Sequence, residues 1–209
     1  MPNVSRVTPY GLKEVADVYF FPVGTTISIV SEGGNYGTYI SASTDPNFIF
    51  DTLKVSNIEV SSEDTSATGG HGNPELISWS YGKQITFTMT DAVFSLATLD
   101  LMFGANGSID DDTTKDVVIN SDTFPCNYHV VGSTYMRSQK DGKDYPFLFE
   151  IPNAKVNVNG TLTMEADGDP TTFELTLKAL KAADSKELVK FHRIDTAASG
   201  STHESNNVK

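Results

Sequence analysis

The sequence predicts a mainly β protein, built as a β-sandwich or barrel-like sheet with one flanking α-helix. Apolar residues recur at every second position in several separate segments, which is the period of a strand with one buried face. The period becomes helical at one place, after Asp91. Turns rich in Gly, Asn, Asp and Ser separate the segments, as is typical between antiparallel strands. A sheet that packs with a single helix satisfies all three observations.

The first part of the chain predicts an arm followed by short strands. Residues 1–24 mix apolar and polar side chains without a sustained period, so we expect an N-terminal arm that docks elsewhere. A short strand is predicted at 25–30. Residues 31–47 are rich in Gly, Asn, Ser and Thr and predict a loop or a ragged hairpin. Residues 48–60 again have strand character.

Residues 61–74 contain almost no side chain that a core would bury. We therefore expect a long mobile loop, over 61–75, between two strands. Loops of this length inside a compact domain are usually functional or disordered, which makes this segment a candidate for contact with other molecules.

The following segment, 76–104, predicts a long strand that leads into the helix. Its apolar residues keep period two and are interrupted only at Lys83, so we expect one buried row. That row consists of Ile77, Trp79, Tyr81, Ile85, Phe87 and Met89. From Asp91 onward the apolar spacing is helical. Thr90 or Asp91 can cap the start of the helix, and Gly104 fits its end.

A second polar loop, 104–116, precedes a series of predicted strands. In the strand around residue 150 the apolar phase changes by one residue at Pro152, which indicates a β-bulge. Asn159-Gly160 is typical of a type I′ hairpin turn, because both central positions of that turn need positive φ. The predicted strands and apolar segments cover 117–119, 124–136, 145–158, 162–166, 173–179 and 187–194.

The sequence predicts one β-rich domain over residues 25–194, because no repeat and no linker divides it. Residues 195–209 are polar and predict a flexible C-terminal tail. The single cysteine, Cys126, cannot form an internal disulfide, and we expect it to be buried as a small apolar side chain. No leader or membrane span is recognisable at the start, which predicts a soluble cytoplasmic product.

The charge of the chain is unevenly distributed. The 209 residues carry a formal net charge of −12. Residues 51–125 hold twelve acids and three bases, so most of the negative charge lies there. No basic stripe is present that could bind phosphates, which argues against tight contact with nucleic acid. An acidic surface instead repels a nucleic-acid backbone.

The residue pattern predicts no catalytic centre, no metal site and no cofactor. No two of the four histidines lie within five residues of each other, so no short metal motif exists, and His129 is expected to be structural. The segment 110–116 resembles a calcium loop but lacks its glycine and closing glutamate. Residues 69–72 are glycine-rich without the Lys-Ser/Thr of a phosphate loop, and no Gly-x-Ser-x-Gly elbow supports a hydrolase.

Two stretches of the sequence resemble phage major tail proteins, the subunits of the tail tube. Residues 72–95 read GNPELISWSYGKQITFTMTDAVFS, in which a strand enters a helix through a "DALF"-like string. Residues 149–180 predict a hairpin that ends in GDPTTFELTL, similar to the "GDP-TFxLxL" ending of tail proteins. These strings reflect a fold more than a chemistry.

The resemblance implies a non-enzymatic structural protein of the virion tail, made in the host cytoplasm and acting without a membrane. Such subunits form rings, usually hexameric, that stack into a tube, and their inner strands join into a β-barrel channel. DNA passes through this channel without specific binding, and other tail proteins are further partners. Long loops and terminal arms bridge the rings. For this chain the resemblance implies inter-subunit contacts at Thr68, Gly69, Gly70, His71, Gly72 and Asn73.

The same resemblance makes Asp110, Asp111 and Asp112 candidates for an acidic channel lining, since like charge repels DNA. A second class of function is an exterior decoration or carbohydrate-binding β-sandwich module, with Tyr36, Tyr39 and Trp79 as candidate platforms. An enzyme that uses paired carboxylates is a third class, disfavoured because no pocket-building motif is present. Its candidate acids are Glu165, Asp167 and Asp169.

Overall fold

The computed structural model describes residues 9–12, 17–91, 95–104, 117–157, 173–183 and 185–195. This part of the chain contains eleven strands and one helix, α1 (Leu96–Phe103). The strands are β1 (Tyr10–Leu12), β2 (Asp17–Pro22), β3 (Ile27–Ile29), β4 (Ile40–Ala42), β5 (Phe48–Phe50), β6 (Leu53–Thr68), β7 (Glu75–Asp91), β8 (Asn127–Ser138), β9 (Asp144–Val156), β10 (Phe173–Ala179) and β11 (Lys190–Arg193). The predicted class, mainly β with one helix, is confirmed.

Nine of the described strands form one antiparallel sheet. Its main path runs β5-β2-β8-β9-β10-β7-β6, while β1 adds to β8 and β11 adds to β9. Strands β3 and β4 form a separate two-stranded sheet. The order places β8 and β9 in the middle, and these two strands are long enough to accept two neighbours each along one edge.

Apolar side chains cover both faces of the central strands. On one face α1 contributes Leu101 and the sheet contributes buried aromatic rings such as Phe20 and Phe87 to the larger core. On the other face Phe21 and Leu148 belong to a smaller core, against which β3 and β4 pack. Full burial of one such side chain is worth about 1.5–3 kcal/mol, so both cores contribute substantially to folding.

The N-terminal arm was predicted to extend to residue 24, but residues 17–22 of that range form strand β2. Residues 17–22 lie inside the main sheet between β5 and β8, and residues 18–21 are buried in succession. Because both faces of β2 meet a core, its apolar residues do not alternate with polar ones. A strand that is buried on both faces shows no alternation of apolar and polar residues, which explains why the sequence pattern predicted an arm here.

Helix α1 is shorter than predicted. Strand β7 continues to Asp91, whose carboxylate accepts a hydrogen bond of 2.6 Å from the Thr52 hydroxyl, so neither Thr90 nor Asp91 caps the helix. Ser95 is the N-cap and accepts from the backbone N–H of Thr98. The predicted end is correct, because Gly104 is the C-cap in left-handed conformation, with φ 64°.

The predicted bulge in β9 is confirmed. Tyr128 of β8 pairs with Ala154, but Val130 pairs with Ile151, so β9 carries one extra residue at Pro152-Asn153. Both Ile151 and Ala154 can therefore face the larger core, although they are three residues apart.

Other local predictions differ from the structure or lie beyond it. Cys126 is exposed rather than buried, because it precedes the first residue of β8 in an irregular segment. Residues 117–119 also lie in irregular backbone rather than in a strand. The predicted turns at 159–160 and 168–170 and the tail at 196–209 lie outside the described residues.

Candidate functional site

The most prominent surface feature is a two-stranded extension formed by β6 and β7. These strands pair with each other along their whole length, from Leu53 opposite Asp91 to Thr68 opposite Glu75. Within the described strands, β10 supports the other side of β7 only over residues 86–91. Residues 61–84 thus leave the body as a hairpin arm, which at 3.3 Å per residue extends about 25 Å.

A loop was predicted over 61–75, but most of this segment belongs to the strands of the hairpin arm. Residues 61–68 are part of β6, and only residues 69–74 lie between the two strands. The segment is rich in Ser and Thr, which tolerate an exposed strand but give no apolar period. Its pairing partner is β7, so the strand forms without a core beneath it.

The six residues predicted for inter-subunit contact lie together at the tip of the hairpin arm. Thr68 ends β6, and Gly69 donates a backbone hydrogen bond of 3.1 Å to the carbonyl of Pro74. Positive φ angles at Gly70, Gly72 and Asn73 close the turn. The structure brings these residues to the outermost point of the arm, and their contact with another subunit stays a prediction.

A second bulge, at Gly82 and Lys83, overturns the predicted single buried row in β7. Glu63 pairs with Tyr81 but Ser61 pairs with Gln84, so β7 has one extra residue here, and Gly82 takes a φ of 63°. The bulge reverses the facing of the strand. Ile85 and the buried residues after it face the core, whereas Tyr81 and the residues before it lie on the opposite face.

The reversal creates an exposed apolar stripe on one face of the hairpin arm. It consists of Ile77, Trp79 and Tyr81, which are 54%, 52% and 53% exposed. Trp79 was expected to be buried, and this expectation is wrong. On the same face, β6 places Glu63 opposite Tyr81 and Thr65 opposite Trp79, so polar groups flank the stripe. Grouped apolar side chains on an exposed surface are typical of association sites.

The long edge of β6 is a second feature suited to association. Among the described strands only β7 pairs with β6, so the other edge presents its backbone N–H and C=O groups outward over residues 53–68. Monomeric proteins usually shorten or cover such edges, because another chain can add a strand to them. At the opposite end of the sheet path, β5 is the corresponding edge.

A buried ionic cluster lies away from this surface, on the face of the smaller core. Glu150 of β9 is 7% exposed, and its carboxylate lies 3.0 Å from Nε2 of His129 and 3.2 Å from Nε2 of His192. Nζ of Lys190 lies 3.5 Å away. Burial alone would raise the pKa of Glu150, but the hydrogen bond with His129 and the charge of Lys190 lower it to about 2.

This cluster fixes β11 to β9, since Lys190 and His192 both belong to β11. The structural role predicted for His129 agrees with these contacts. Sequence reasoning missed Glu150 and His192, and the available signal was an acid at an inward position of an otherwise apolar strand. Within the described ranges, no group of three or more His, Cys, Asp or Glu side chains is arranged to hold a metal ion.

The aromatic residues proposed as binding platforms do not form one surface. Tyr36 and Tyr39 pack against the smaller core, where the ring of Tyr36 meets that of Phe21 at 5.5 Å, and the Tyr36 hydroxyl bonds to Asp45. Trp79 lies instead on the hairpin arm. The acidic triplet at 110–112 lies outside the described residues. In the part of the chain that the structure covers, no helix has the length and apolarity that crossing a bilayer requires.

The fold and this surface define a class: a β-rich structural protein whose described strands offer an exposed apolar stripe and two sheet edges for association. A sequence profile of the YomU/Tube protein family matches residues 37–106 and 109–194, and the chain belongs to this family. Membership confirms the resemblance to phage tail tube proteins and indicates a structural protein of the virion tail. A comparison with curated proteins gives no match.

Proposed function

We propose that this chain is a tail tube subunit that associates with copies of itself into stacked rings, hexameric as in the proteins it resembles, around a channel for DNA. The observation that carries this proposal is the apolar stripe on the hairpin arm. Three large apolar side chains, each about half exposed, project from a segment with no described body beneath it. A neighbouring subunit that covers them removes apolar surface from water.

The two sheet edges support a head-to-tail contact between subunits. Among the described strands, β6 and β5 form the two ends of the sheet path, so β6 of one copy can extend the sheet of the next. A contact between two different surfaces repeats from copy to copy and closes into a ring when the rotation permits it. Addition of strands in this way also satisfies the outward backbone groups of β6.

The negative charge supports a channel through which DNA moves. Residues 51–91 hold six acids and two lysines. Acidic groups near the channel repel phosphates and prevent retention of DNA. In this proposal residues 110–112 contribute to the lining, and the tip of the hairpin arm, residues 68–73, contacts the adjacent ring together with the terminal segments.

Electron microscopy of the purified chain tests this function. We expect rings or tubes from the wild type, and loss of them when the stripe is made polar by Ile77→Thr, Trp79→Ser and Tyr81→Thr. Val23→Ser is the matched control, because Val23 is 51% exposed but lies in the turn after β2. A stripe variant that assembles as well as the control, with unchanged thermal stability, would disprove the role of the stripe.

A carbohydrate-binding or decoration module is the second candidate, favoured by one observation, the exposure of Trp79. Glycan binding by an aromatic platform quenches or shifts tryptophan emission, and this chain has one tryptophan. Titration of the monomer with a panel of bacterial surface glycans distinguishes the two functions. A saturable emission change supports the module, and an unchanged spectrum removes its main support.

A further inference from the structure

Two short strands at the same end of the sheet belong to the first and the last described segments of the chain. Among the described strands, β1 pairs with β8 alone over three residues, and β11 pairs with β9 alone over four residues. Strands this short that are held along one side open more readily than central strands do, because few contacts hold them. Any side-chain contact between β1 and β11 therefore has a large influence on both.

Arg193 of β11 makes such a contact with Tyr10 of β1. Its Cζ lies 5.3 Å from the centre of the Tyr10 ring and 6.0 Å from that of Tyr145, and Nη1 donates a hydrogen bond of 2.5 Å to the Tyr10 hydroxyl. The two tyrosine rings meet edge to face, with centroids 6.4 Å apart. A guanidinium is attracted to aromatic faces and can donate to an oxygen at the same time. We call Tyr10, Tyr145 and Arg193 the terminal clasp.

The terminal clasp crosses the sheet on the face of the larger core. Arg193 is two residues after Phe191, the register partner of Phe149, so it projects to the same face as that core residue. Strands β11, β9, β8 and β1 follow one another across the sheet, which separates Arg193 from Tyr10 by three strand spacings, or about 14 Å. Two long side chains that lean toward each other over Tyr145 of β9 join these strands.

The turn between β8 and β9 fixes the middle of the terminal clasp. The Tyr145 hydroxyl donates a hydrogen bond of 2.6 Å to Asp141. Hydrogen bonds from Tyr145 and Ser138 lower the pKa of Asp141 to about 2, so this acceptor is ionised at neutral pH. The backbone N–H of Gln139 donates to the carbonyl of Pro9 at 3.1 Å, which holds the start of β1 against the same turn. The clasp thus has a fixed centre, and its outer members come from two distant parts of the sequence.

We propose that the terminal clasp couples β1 and β11, so that these two strands open and close as one cooperative unit although each is paired to a different neighbour. Arg193 is the positioning residue of this unit. A coupling free energy is reciprocal, so loss of either outer member loosens both strands. Pro9 and Asp195 flank the clasp, and the terminal segments that the proposed function assigns to the adjacent ring therefore start from one corner of the sheet. This last consequence rests on the proposed function.

Hydrogen exchange of the unassembled chain, followed by mass spectrometry, tests the coupling. We expect Arg193→Ala to raise exchange in β1 at least about fivefold, and Tyr10→Ala to raise exchange in β11 comparably, because each substitution removes the clasp from the opposite strand. Arg193→Lys and Tyr10→Phe keep part of the clasp and should have intermediate effects. Exchange in β10, an inner strand of the sheet, should change less than about twofold in all four variants.

Arg137→Ala is the matched control. Arg137 of β8 is the register partner of Gly11, so its side chain projects from the face opposite to the clasp, where it forms an ion pair of 2.8 Å with Asp144. This variant also loses an arginine next to β1, but exchange in β11 should stay as in the wild type.

Three results would each overturn the coupling. The first is unchanged exchange in the strand opposite to the substitution, in Arg193→Ala or in Tyr10→Ala. The second is a rise in β10 equal to that in β1 and β11, which indicates general loss of stability. The third is an equal rise of β11 exchange in the Arg137→Ala control.

The exchange experiment is independent of assembly. A wild-type chain that stays monomeric in electron microscopy contradicts the proposed function, and the exchange of its variants still decides the coupling. Wild-type tubes together with independent exchange of β1 and β11 uphold the proposed function and overturn the coupling.

Discussion

Replacement of Gly132 by alanine should destabilise the fold through a single contact. Gly132 of β8 lies opposite Phe149 of β9, and the Phe149 ring occupies the space above the glycine. A Cβ at residue 132 would lie 2.1 Å from Cε1 and 2.2 Å from Cζ of that ring. Carbon atoms in contact are normally about 3.5–4.0 Å apart, so the ring has to move.

The ring cannot move without disturbing the larger core. Phe149 is 4% exposed, and its ring centroid lies 4.9 Å from that of Phe87. Overpacking costs about 1–3 kcal/mol and complete loss of a buried Phe about 3–5 kcal/mol, so we expect Gly132→Ala to lower the free energy of unfolding by about 3 kcal/mol. For a chain of this length the melting temperature falls by about 6–12 °C.

Equilibrium denaturation in urea, followed by circular dichroism, measures this change. Gly11→Ala is the control, because a Cβ at Gly11 meets no atom within 4 Å, and its effect should stay within about 0.5 kcal/mol. The double variant Gly132→Ala/Phe149→Leu should be more stable than the sum of its parts. A loss below about 1 kcal/mol for Gly132→Ala, or simple additivity in the double variant, would refute the steric explanation.

Three further predictions concern other parts of the molecule. Trp79 emission should shift to shorter wavelength as the protein assembles, since the stripe loses contact with water, and a constant spectrum through assembly would contradict its burial. The pKa of Glu150 is about 2 in the folded chain, below its usual 4.5. The ionised carboxylate therefore stabilises the fold fully above about pH 4.5, and this stabilisation disappears as the pH falls toward 2. Glu150→Gln should lower the free energy of unfolding by on the order of 2–3 kcal/mol at pH 7 and should weaken its dependence on pH below about 4.5, which urea titrations at several pH values would measure. Gly104→Ala should lower the free energy of unfolding by about 2 kcal/mol, because residue 104 has positive φ and a Cβ there would lie 2.4 Å from the Phe124 backbone. Gly142 also has positive φ but has open space around it, so Gly142→Ala should cost about 1 kcal/mol in the same denaturation assay.

The sequence predicted those features that leave a local mark. The bulge in β9 was visible because Pro152 coincides with a change of apolar phase, and the end of α1 was visible because Gly104 fits a left-handed cap. Both signals depend on a few neighbouring residues. The general class followed from them, since alternating segments and one helical stretch leave few ways to form a core.

The missed features depend on partners that are distant in sequence. Strand β2 is apolar on both sides because two cores enclose it, and residues 61–68 form a strand only because β7 pairs with them. The bulge at Gly82 could not be seen in the sequence, because the apolar residues before it and after it all have odd numbers and therefore look like one uninterrupted row. The contact of His129 with Glu150 requires the register of β8 against β9, which the sequence does not state.

The bulge at Gly82 separates two demands on a single strand. Without the additional residue, Ile77, Trp79 and Tyr81 would point to the same side as Ile85, Phe87 and Met89, and the outward projection would have to be encoded on another element. With the bulge, the side chains of the inner half of the strand are constrained by core packing. Those of the outer half can be substituted during evolution to fit a different neighbour without disturbing that packing. One inserted residue thus lets the same continuous strand serve both the interior of the molecule and a surface for its neighbours.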